Sequence, residues 1–488
     1  MLILENYPQF KIVQDLAKKR KVAIYLVGGF LRDYLLKRQQ MDFDFAVSKD
    51  AIGLAKAFAK SIKGAFVLLD SEHGCARVVK KDNGQIATFD FADFRDKTFK
   101  GDLAHRDFTI NTLSLDCSKL KSSSAILDLL ADNKSALKDL KAGRIKMTSP
   151  NAFKDDPLRM LRAFSLKAML DFKIEPKTLV KIKKERDLLR GVSYERIRDE
   201  FFKILETPRA ADNLRAMDKI GLLEKIIPQV HVMFNCKQGG YHHLDVWLHS
   251  LETIFQVEKV FEEFKNDSDI EEYLEQKFAG TRTRKSLIKL ALLLHDIGKP
   301  ETRKIENSKY SFHGHEHVGK NITRIVAKML KLSKQERFVV QDMVQWHLRP
   351  GYLSNFEKPS EKSIYRYFRD TKQEAASILL LSLADQRSTR GPLTTKRDQT
   401  HHYEICTRLL KQYFEKLKEK PFTCFINGND LIKELKLKPS PLFGEILTKV
   451  AEQQSLGKIE SKDQAIELAS KLANRHSESR RDEESQNT

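Results

Sequence analysis

The sequence predicts an α+β chain: a mixed sheet with helices over roughly the first 138 residues, then an all-α remainder. Short β-type runs and turn signals crowd residues 1–135. From about 140 to the end, apolar residues recur every three or four positions with few strand signals. Near the start, an apolar strand Ile24–Val27 runs into Gly28-Gly29 and a helical pattern, and a second strand reads Asp42-Phe43-Asp44-Phe45. At 488 residues the chain has room for about three domains.

That strand–helix–strand unit carries the densest chemistry. A backbone bare of side chains at a helix start lets N–H groups approach a phosphate, which the helix dipole favours. Arg32, one turn in, offers a forked cation for the same anion. Alternate residues of a strand share a face, so Asp42 and Asp44 project together while Phe43 and Phe45 pack behind them. Two close carboxylates repel, and a divalent metal is the usual reason to tolerate them. The bland reading is a surface turn and a chance D-x-D on an edge strand. The order and spacing favour a phosphate cradle beside a metal pair, the equipment of nucleotidyl transfer.

Three more strands are predicted at Phe66–Asp70, Ala76–Lys80 and Gln85–Phe91, the last two joined as a hairpin by Asp82-Asn83-Gly84. Asp90, at the end of that hairpin, is a weaker candidate for a third carboxylate. Arg106 and Asp107 precede the β-leaning run FTINTLSL (108–115). Asp156 precedes Pro157, which suits a first helical position, so Asp156 could simply cap a helix. Arg159 and Arg162 then share a helix face and call for an anion or a carboxylate. Glu195, Arg196 and Glu200 stand at spacings that permit Arg–Glu pairing on a helix.

Further on, His249 falls in an amphipathic helix, and His295-Asp296 ends the apolar helix of SLIKLALLLHDIGKP (286–300). His315, His347 and Asp385 lie in or beside other apolar stretches. A single such histidine is usually a satisfied core residue. Four histidines and two aspartates are hard to satisfy without metal, and this donor set favours Mg²⁺, Mn²⁺, Ni²⁺ or Fe over a structural zinc. Residues 264–285 read as a polar loop, and the tail 475–488 as disordered.

Composition bounds the setting. A net charge of +20 asks for a polyanionic partner, with basic runs at 18–21, 177–190 and 281–289 as candidate contacts. No run approaches the ~18 apolar residues of a membrane span, so no membrane role is expected. Cysteines 75, 117, 236, 406 and 424 form no C-x-x-C pair, and the first residues lack a secretion signal. A cytoplasmic location is expected.

Taken together, GGFLRD (28–33), DFDFAV (42–47), HRDFTIN (105–111), DDPLRMLRAF (155–164) and ERIRDE (195–200) resemble, in order, the motifs of the class II tRNA nucleotidyltransferase and bacterial poly(A) polymerase superfamily. The histidine-bearing helices resemble an HD-superfamily phosphohydrolase domain. The stretch from Ile426 resembles the helical module that ends HD-bearing tRNA nucleotidyltransferases. The resemblance implies a polymerase-beta-like head (1–138), a helical neck (139–232), an HD domain (233–400) and a tRNA-binding module (401–474). Asp42 and Asp44 would be catalytic, with Mg²⁺. Gly28, Gly29, Arg32, Asp33, Arg106, Asp107, Asn111, Asp156, Arg159 and Arg162 would bind the nucleotide, Asp156 and Arg159 at the base and Arg106 and Arg162 at the phosphates. His249, His295, Asp296 and Asp385 would hold a divalent transition metal or Mg²⁺, with His315 and His347 extending the site to a second ion.

The implied partners are tRNA, CTP and ATP, with no obligate protein partner. The implied reaction adds CCA, or CC or A alone, to a tRNA 3′ end. The alternatives are a poly(A) polymerase and an RNA-binding HD phosphodiesterase with an inactive head. Three positions depart from the family pattern: His105 and Ser165 stand where relatives have arginine, and Asp171 where glycine is common. The segment between Asp90 and Arg106 is also short, and loop shortening in this family accompanies addition of CC or A alone.

Overall fold

Alternation of aromatic and polar residues divides one sheet into a sealed face and an open one, and this is what places the carboxylates. The computed structural model describes residues 8–38, 41–82, 85–119, 126–306, 309–419 and 422–486. The head contains α1 (Pro8–Arg20), β1 (Ile24–Val27), α2 (Gly29–Leu35), β2 (Asp42–Val47), α3 (Ala51–Ile62), β3 (Ala65–Asp70), β4 (Cys75–Asp82), β5 (Gln85–Asp93), α4 (Phe99–Ala104), β6 (Ser114–Asp116) and β7 (Leu130–Ala131). The seven strands run in the order β3-β4-β5-β2-β1-β6-β7, with β2 and β5 parallel and the other pairs antiparallel. Phe43, Phe45, Ala76, Val78, Phe89 and Phe91 are buried. Phe10 of α1 packs edge-on against Phe43 at 5.3 Å, and Phe58 of α3 against Phe89 at 5.0 Å. The residues between them, Asp42, Asp44, Arg77, Thr88 and Asp90, therefore turn to the open face.

The chain separates into two compact units, Met1–Pro228 and Gln229–Thr488. After the sheet, the first unit is mostly helical, including Arg159–Leu170, Pro176–Glu185 and Tyr194–Leu205, with one short parallel pair, Arg144–Ile145 with Lys173–Ile174. In the second unit, helices Val246–Glu263, Arg284–Leu294, Lys334–Trp346 and Ala375–Ser388 build an apolar core in which Leu287 to Leu294 are all buried. A separate small core, Ile426, Leu431, Ile446, Val450, Ile459, Ala465 and Ala469, holds the last helices together. Among the described residues, no helix is long and apolar enough to cross a membrane.

Several expectations need correction. The run FTINTLSL is only partly strand, because Thr109–Asn111 form a 3-10 turn before β6. Residues 264–285 are not all loop. Asp267 caps a helix Ser268–Leu274, whose Ile270 and Leu274 are buried one turn apart. Two apolar residues make too short a stripe for periodicity to reveal. A hairpin, Lys304–Glu306 with Lys309–Ser311, interrupts the helical half. The tail continues the helix Lys462–Gln486, since its Glu and Arg residues propagate a helix already nucleated upstream. The turn residues Asn83 and Gly84 lie outside the described residues, although their strands pair from Asp82 with Gln85 onward.

The basic run 281–289 is not a free cationic face. Arg282 pairs with Glu336, Arg284 with Glu374, and Lys289 with Glu258, all largely buried. Lys18, Lys19, Lys21, Lys177, Lys183, Lys184 and Arg190 do remain exposed.

Gly298 follows His295-Asp296 because no side chain fits there. A Cβ would lie 2.2 Å from the carbonyl oxygen of His315 and 2.7 Å from the Gly319 nitrogen. Both obstacles are backbone, so Gly298→Ala should cost about 3 kcal/mol and lower the melting temperature of the second unit by roughly 6 °C or more. Differential scanning calorimetry measures this, and an unchanged transition would contradict the packing described.

Candidate active site

On the open face of the sheet, register aligns Val27, Asp44, Asp90, Arg77 and Val67 across β1, β2, β5, β4 and β3. Asp90 is tied to Arg77 by two hydrogen bonds of 2.7 Å. Asp42 accepts from the Thr88 hydroxyl. Asp44 makes neither a hydrogen bond nor an ion pair with any described residue. Burial, then the neighbouring Asp90, push its pKa up to about 6, against the opposing charges of Arg106 and Arg162. A half-buried carboxylate flanked by two others and lacking a partner fits a divalent cation, which would supply the missing countercharge.

Gly28 closes the strand β1 at φ 81, a conformation L side chains rarely adopt. A Cβ there would meet Asp44 Oδ2 at 3.1 Å and Arg106 Nη1 at 3.5 Å, so the bare backbone is what lets the α2 N-terminus, a carboxylate and a guanidinium converge. Arg106 reaches Asp102 at 3.4 Å, while its Nε has no hydrogen-bond partner. A cavity of about 440 Å³ joins Gly28, Gly29, Asp42, Asp44, Arg106 and Arg162.

Arg32 departs from the expectation of a free cation at this cradle. Its Nε and Nη2 donate to Asp33 at 2.8 Å and its Nη1 to Asn111 at 2.8 Å. Asn111 in turn donates to Asp107 at 2.9 Å, and Asp107 accepts from Arg162 at 3.0 Å. Burial would raise the Asp107 pKa, but Arg162, Asn111 and the Phe108 N–H outweigh it and hold the carboxyl below its usual range. Arg32, Asp33, Asn111 and Asp107 thus form a buried frame that braces the cradle and aims Arg162.

A second cavity of about 350 Å³ shares Asp44, Asp90, Arg106, Asp107 and Arg162 with the first, and adds Asp156, Arg159, Arg196 and His105. The helix begins at Arg159, not at Pro157, and Asp156 ends the preceding short helix Ala152–Asp155. Asp156 accepts from the Leu158 N–H at 3.2 Å and from Arg196 at 2.8 Å. Arg159 donates to the backbone carbonyls of Ala152 and His105. Sequence reasoning treated Arg196 as structural, pairing on its own helix. It instead crosses to Asp156 and lines the cavity, a contact between residues 40 apart that spacing along one helix cannot disclose.

Of the departures, buried Ser165 hydrogen-bonds Glu200, and His105 lies 3.7 Å from Asp155 and 4.0 Å from Asp96. Asp171 sits at φ 58, a backbone conformation that glycine adopts without strain.

The second unit holds a second site. His249, His295 and Asp385 form one group of convergent donor atoms, and Asp296, His315 and His347 another. Asp296 stands between them, with Oδ2 3.2 Å from His295 Nε2 and Oδ1 3.3 Å from His315 Nε2. The Nδ1 atoms of His295, His315 and His347 lie 2.7–2.8 Å from the carbonyls three residues back, Leu292, Phe312 and Val344. A carbonyl only accepts, so each Nδ1 carries a proton and each Nε2 lone pair is turned inward. His315 Nε2 and His347 Nε2 face one another at 3.2 Å, and His295 Nε2 and Asp296 Oδ1 are buried without hydrogen-bond partners. Donors so arranged fit two cations. Lys299 and Gln238, which sequence reasoning passed over, complete the wall: Lys299 Nζ lies 2.6 Å from Asp296 and 2.7 Å from Gln238.

Four family models match successive parts of the chain: the poly A polymerase head domain over 24–146, the probable RNA and SrmB-binding site of polymerase A over 171–234, the HD domain over 246–390, and the putative tRNA nucleotidyltransferase domain 2 over 399–469. An A-adding tRNA nucleotidyltransferase of Deinococcus radiodurans is 30% identical, over 90% of this chain and 93% of its own. The chain belongs to the tRNA nucleotidyltransferase family. A CC-adding tRNA nucleotidyltransferase of Thermus thermophilus is 27% identical over 90% of this chain and 91% of its own. In fold, this tRNA nucleotidyltransferase resembles a CCA-adding enzyme solved with ATP (TM-score 0.63, 20% identity, 96% of this chain and 95% of that one). It also resembles the Thermotoga maritima CCA-adding enzyme complexed with tRNA (TM-score 0.59, 21% identity, 94% and 93%). Nucleotidyltransferases and HD-domain proteins generally use divalent metals.

The frame around the cradle is testable. Arg32→Ala leaves Asp33 buried and unpaired, which should cost about 3–5 kcal/mol in urea denaturation at pH 7. A loss below about 1 kcal/mol, the scale of an exposed pair, would mean the pair is not buried.

Proposed function

We propose that this chain extends the 3′ end of tRNA with part of the CCA sequence, CC or A alone, using CTP or ATP and Mg²⁺. The observation that carries the reaction is the half-buried Asp44 carboxylate, without a hydrogen-bond or ion-pair partner among the described residues, beside Asp42 and next to a phosphate cradle. Mg²⁺ held by Asp42 and Asp44 would supply charge neutralisation at the α-phosphate and acidify the attacking 3′-hydroxyl. The chain's own residues do the rest. The Gly29 N–H at the start of α2 receives the triphosphate, since the Gly28 N–H is given to the Leu113 carbonyl at 3.3 Å, and Arg106 and Arg162 neutralise its charge. Asp156 accepts from an exocyclic amine of the base and Arg159 donates to a ring nitrogen or carbonyl, with Arg196 orienting the Asp156 carboxylate. The 3′-oxygen attacks phosphorus, and pyrophosphate leaves on the opposite side.

Partial addition is favoured by the connection between β5 and α4, which is only residues 94–98. It is also tied down: the Arg95 N–H donates to Asp102 at 3.1 Å and the Thr98 N–H donates to Asp96 at 3.4 Å. The HD module and the tail module argue against a poly(A) polymerase, and the intact carboxylates argue against an inactive head. A reaction that consumes CTP or ATP and tRNA supports a cytoplasmic location.

A second reading rests on the paired donor groups around Asp296. The second unit would hold two divalent ions and hydrolyse a phosphoester, such as a 2′,3′-cyclic phosphate at a damaged tRNA 3′ end.

Asp42→Asn and Asp44→Asn should each reduce nucleotide addition by more than a thousandfold while tRNA binding stays within a few-fold, as gel shift and product sequencing would reveal. Addition within tenfold of wild type by either variant would remove that carboxylate from the site. Offered tRNAs ending before CCA, after C and after CC, the wild type should add either the C residues or the terminal A, but not both. Synthesis of full CCA from one enzyme would overturn partial addition. His295→Ala should lose bound divalent metal, read by atomic emission, without loss of addition by the head. Retained metal would exclude His295 as a ligand.

A further inference from the structure

The open face of the sheet continues past the carboxylates, over β5, β4 and β3, where Val67, Val79, Lys81 and Ile86 line neither of the two cavities. Register puts Ile86, Thr88 and Asp90 of β5 on this face, with Arg77, Val79 and Lys81 of β4 and Val67 of β3 opposite them in turn. Soluble sheets normally blunt an edge with charge, and an exposed apolar strand there needs a reason. Here Val67 is 43% exposed and Ile86 57% exposed.

In-line displacement fixes which side this is. The pyrophosphate leaves toward Gly28 and Gly29, which follow β1 on one side of Asp44, while the same cavity continues past Asp44 to Thr88, Asp90 and Arg77 on the other. The attacking 3′-oxygen must then come from the other side, across β5, β4 and β3. We infer that Val67, Val79 and Ile86, with Arg77 and Lys81, form the seat for the last nucleotides of the acceptor RNA. This rests on the nucleotidyl-transfer reading above. The seat extends three strands from Asp44, about 14 Å at the usual strand spacing, a span suited to a few unpaired nucleotides.

The chemistry of the face matches single-stranded RNA rather than protein. Arg77 is locked flat by its two bonds to Asp90, yet its side chain is 42% exposed. A guanidinium plane held in this way is a surface on which a base stacks. Val67, Val79 and Ile86 supply apolar contact around it, and exposed Lys81 a cation for the backbone. The contacts are to base faces and phosphates, so the seat is indifferent to sequence, as an enzyme serving every tRNA requires.

Val67→Ser combined with Ile86→Ser tests this, because both side chains are exposed and the sealed face is untouched. Leu68→Ser is the control: Leu68 is 51% exposed on the same strand but pairs with Ala76 on the opposite face. The double variant should lose about tenfold in kcat/KM for tRNA, with KM for the nucleotide within twofold of wild type, and the control should match wild type. An acceptor kcat/KM within twofold of wild type in the double variant, or an equal loss in the control, overturns the seat. A tRNA with 4-thiouridine as its terminal nucleotide gives a readout that needs no turnover. Photocrosslinks should map to peptides spanning 65–69 or 75–90, and crosslinks confined to other peptides overturn the seat. A wild type that crosslinks there but adds no nucleotide would instead contradict the nucleotidyl-transfer reading and leave an RNA seat standing.

Discussion

Asp44 stands half-buried between two other carboxylates, and the head is arranged around what that demands. Ionising it in this position requires positive charge within a few ångströms. Arg106 and Arg162 approach, but each is held by a carboxylate of its own, Asp102 and Asp107. Asp90 is likewise answered by Arg77. These cationic side chains are assigned, and Asp42 and Asp44 are left for a metal. The packing behind it keeps this geometry rigid: Phe43 and Phe45 stack on Phe89 and Phe91 at 5.0 Å, so β2 and β5 cannot slip without unpacking the aromatic layer.

The same logic operates in the second unit with different parts. Asp296 divides its oxygens between two groups of donors, and three histidines are locked in one tautomer by carbonyls three residues earlier. His295 and His347 sit at helix C-termini, where the last carbonyls are free to accept those Nδ1 protons. Burial alone would depress the His295 pKa, but Asp296 and Asp385 reverse it and push it up to about 10. Without a metal the pair of carboxylates captures a proton on the imidazole; a divalent cation competes for the same lone pair.

Much of this was legible in the sequence wherever one local rule decided the outcome. Strand alternation placed Asp42 and Asp44 together, and β1 and the start of β2 fall where apolar runs put them. The six HD-site donors were legible because polar groups on apolar helices need a partner. What escaped was long-range. Arg77 with Asp90 and Arg196 with Asp156 are pairings set by sheet register or helix packing. Arg32 is the instructive case, since a guanidinium one turn into a phosphate-binding helix reads as a ligand. Its neighbour Asp33, together with Asn111 from 78 residues beyond Asp33, absorbs the donors instead. The basic run at 281–289 misled for the reason that charge density in sequence does not disclose buried carboxylates opposite.

The most direct measurement is the anomalous scattering of Mn²⁺ in crystals grown with a non-hydrolysable CTP or ATP analogue. The account predicts a peak within coordination distance of Asp42 and Asp44, with the analogue's triphosphate against Gly28 and Gly29. A bound analogue with no metal between it and those two aspartates, and with Asp44 hydrogen-bonded to a protein group instead, would contradict it.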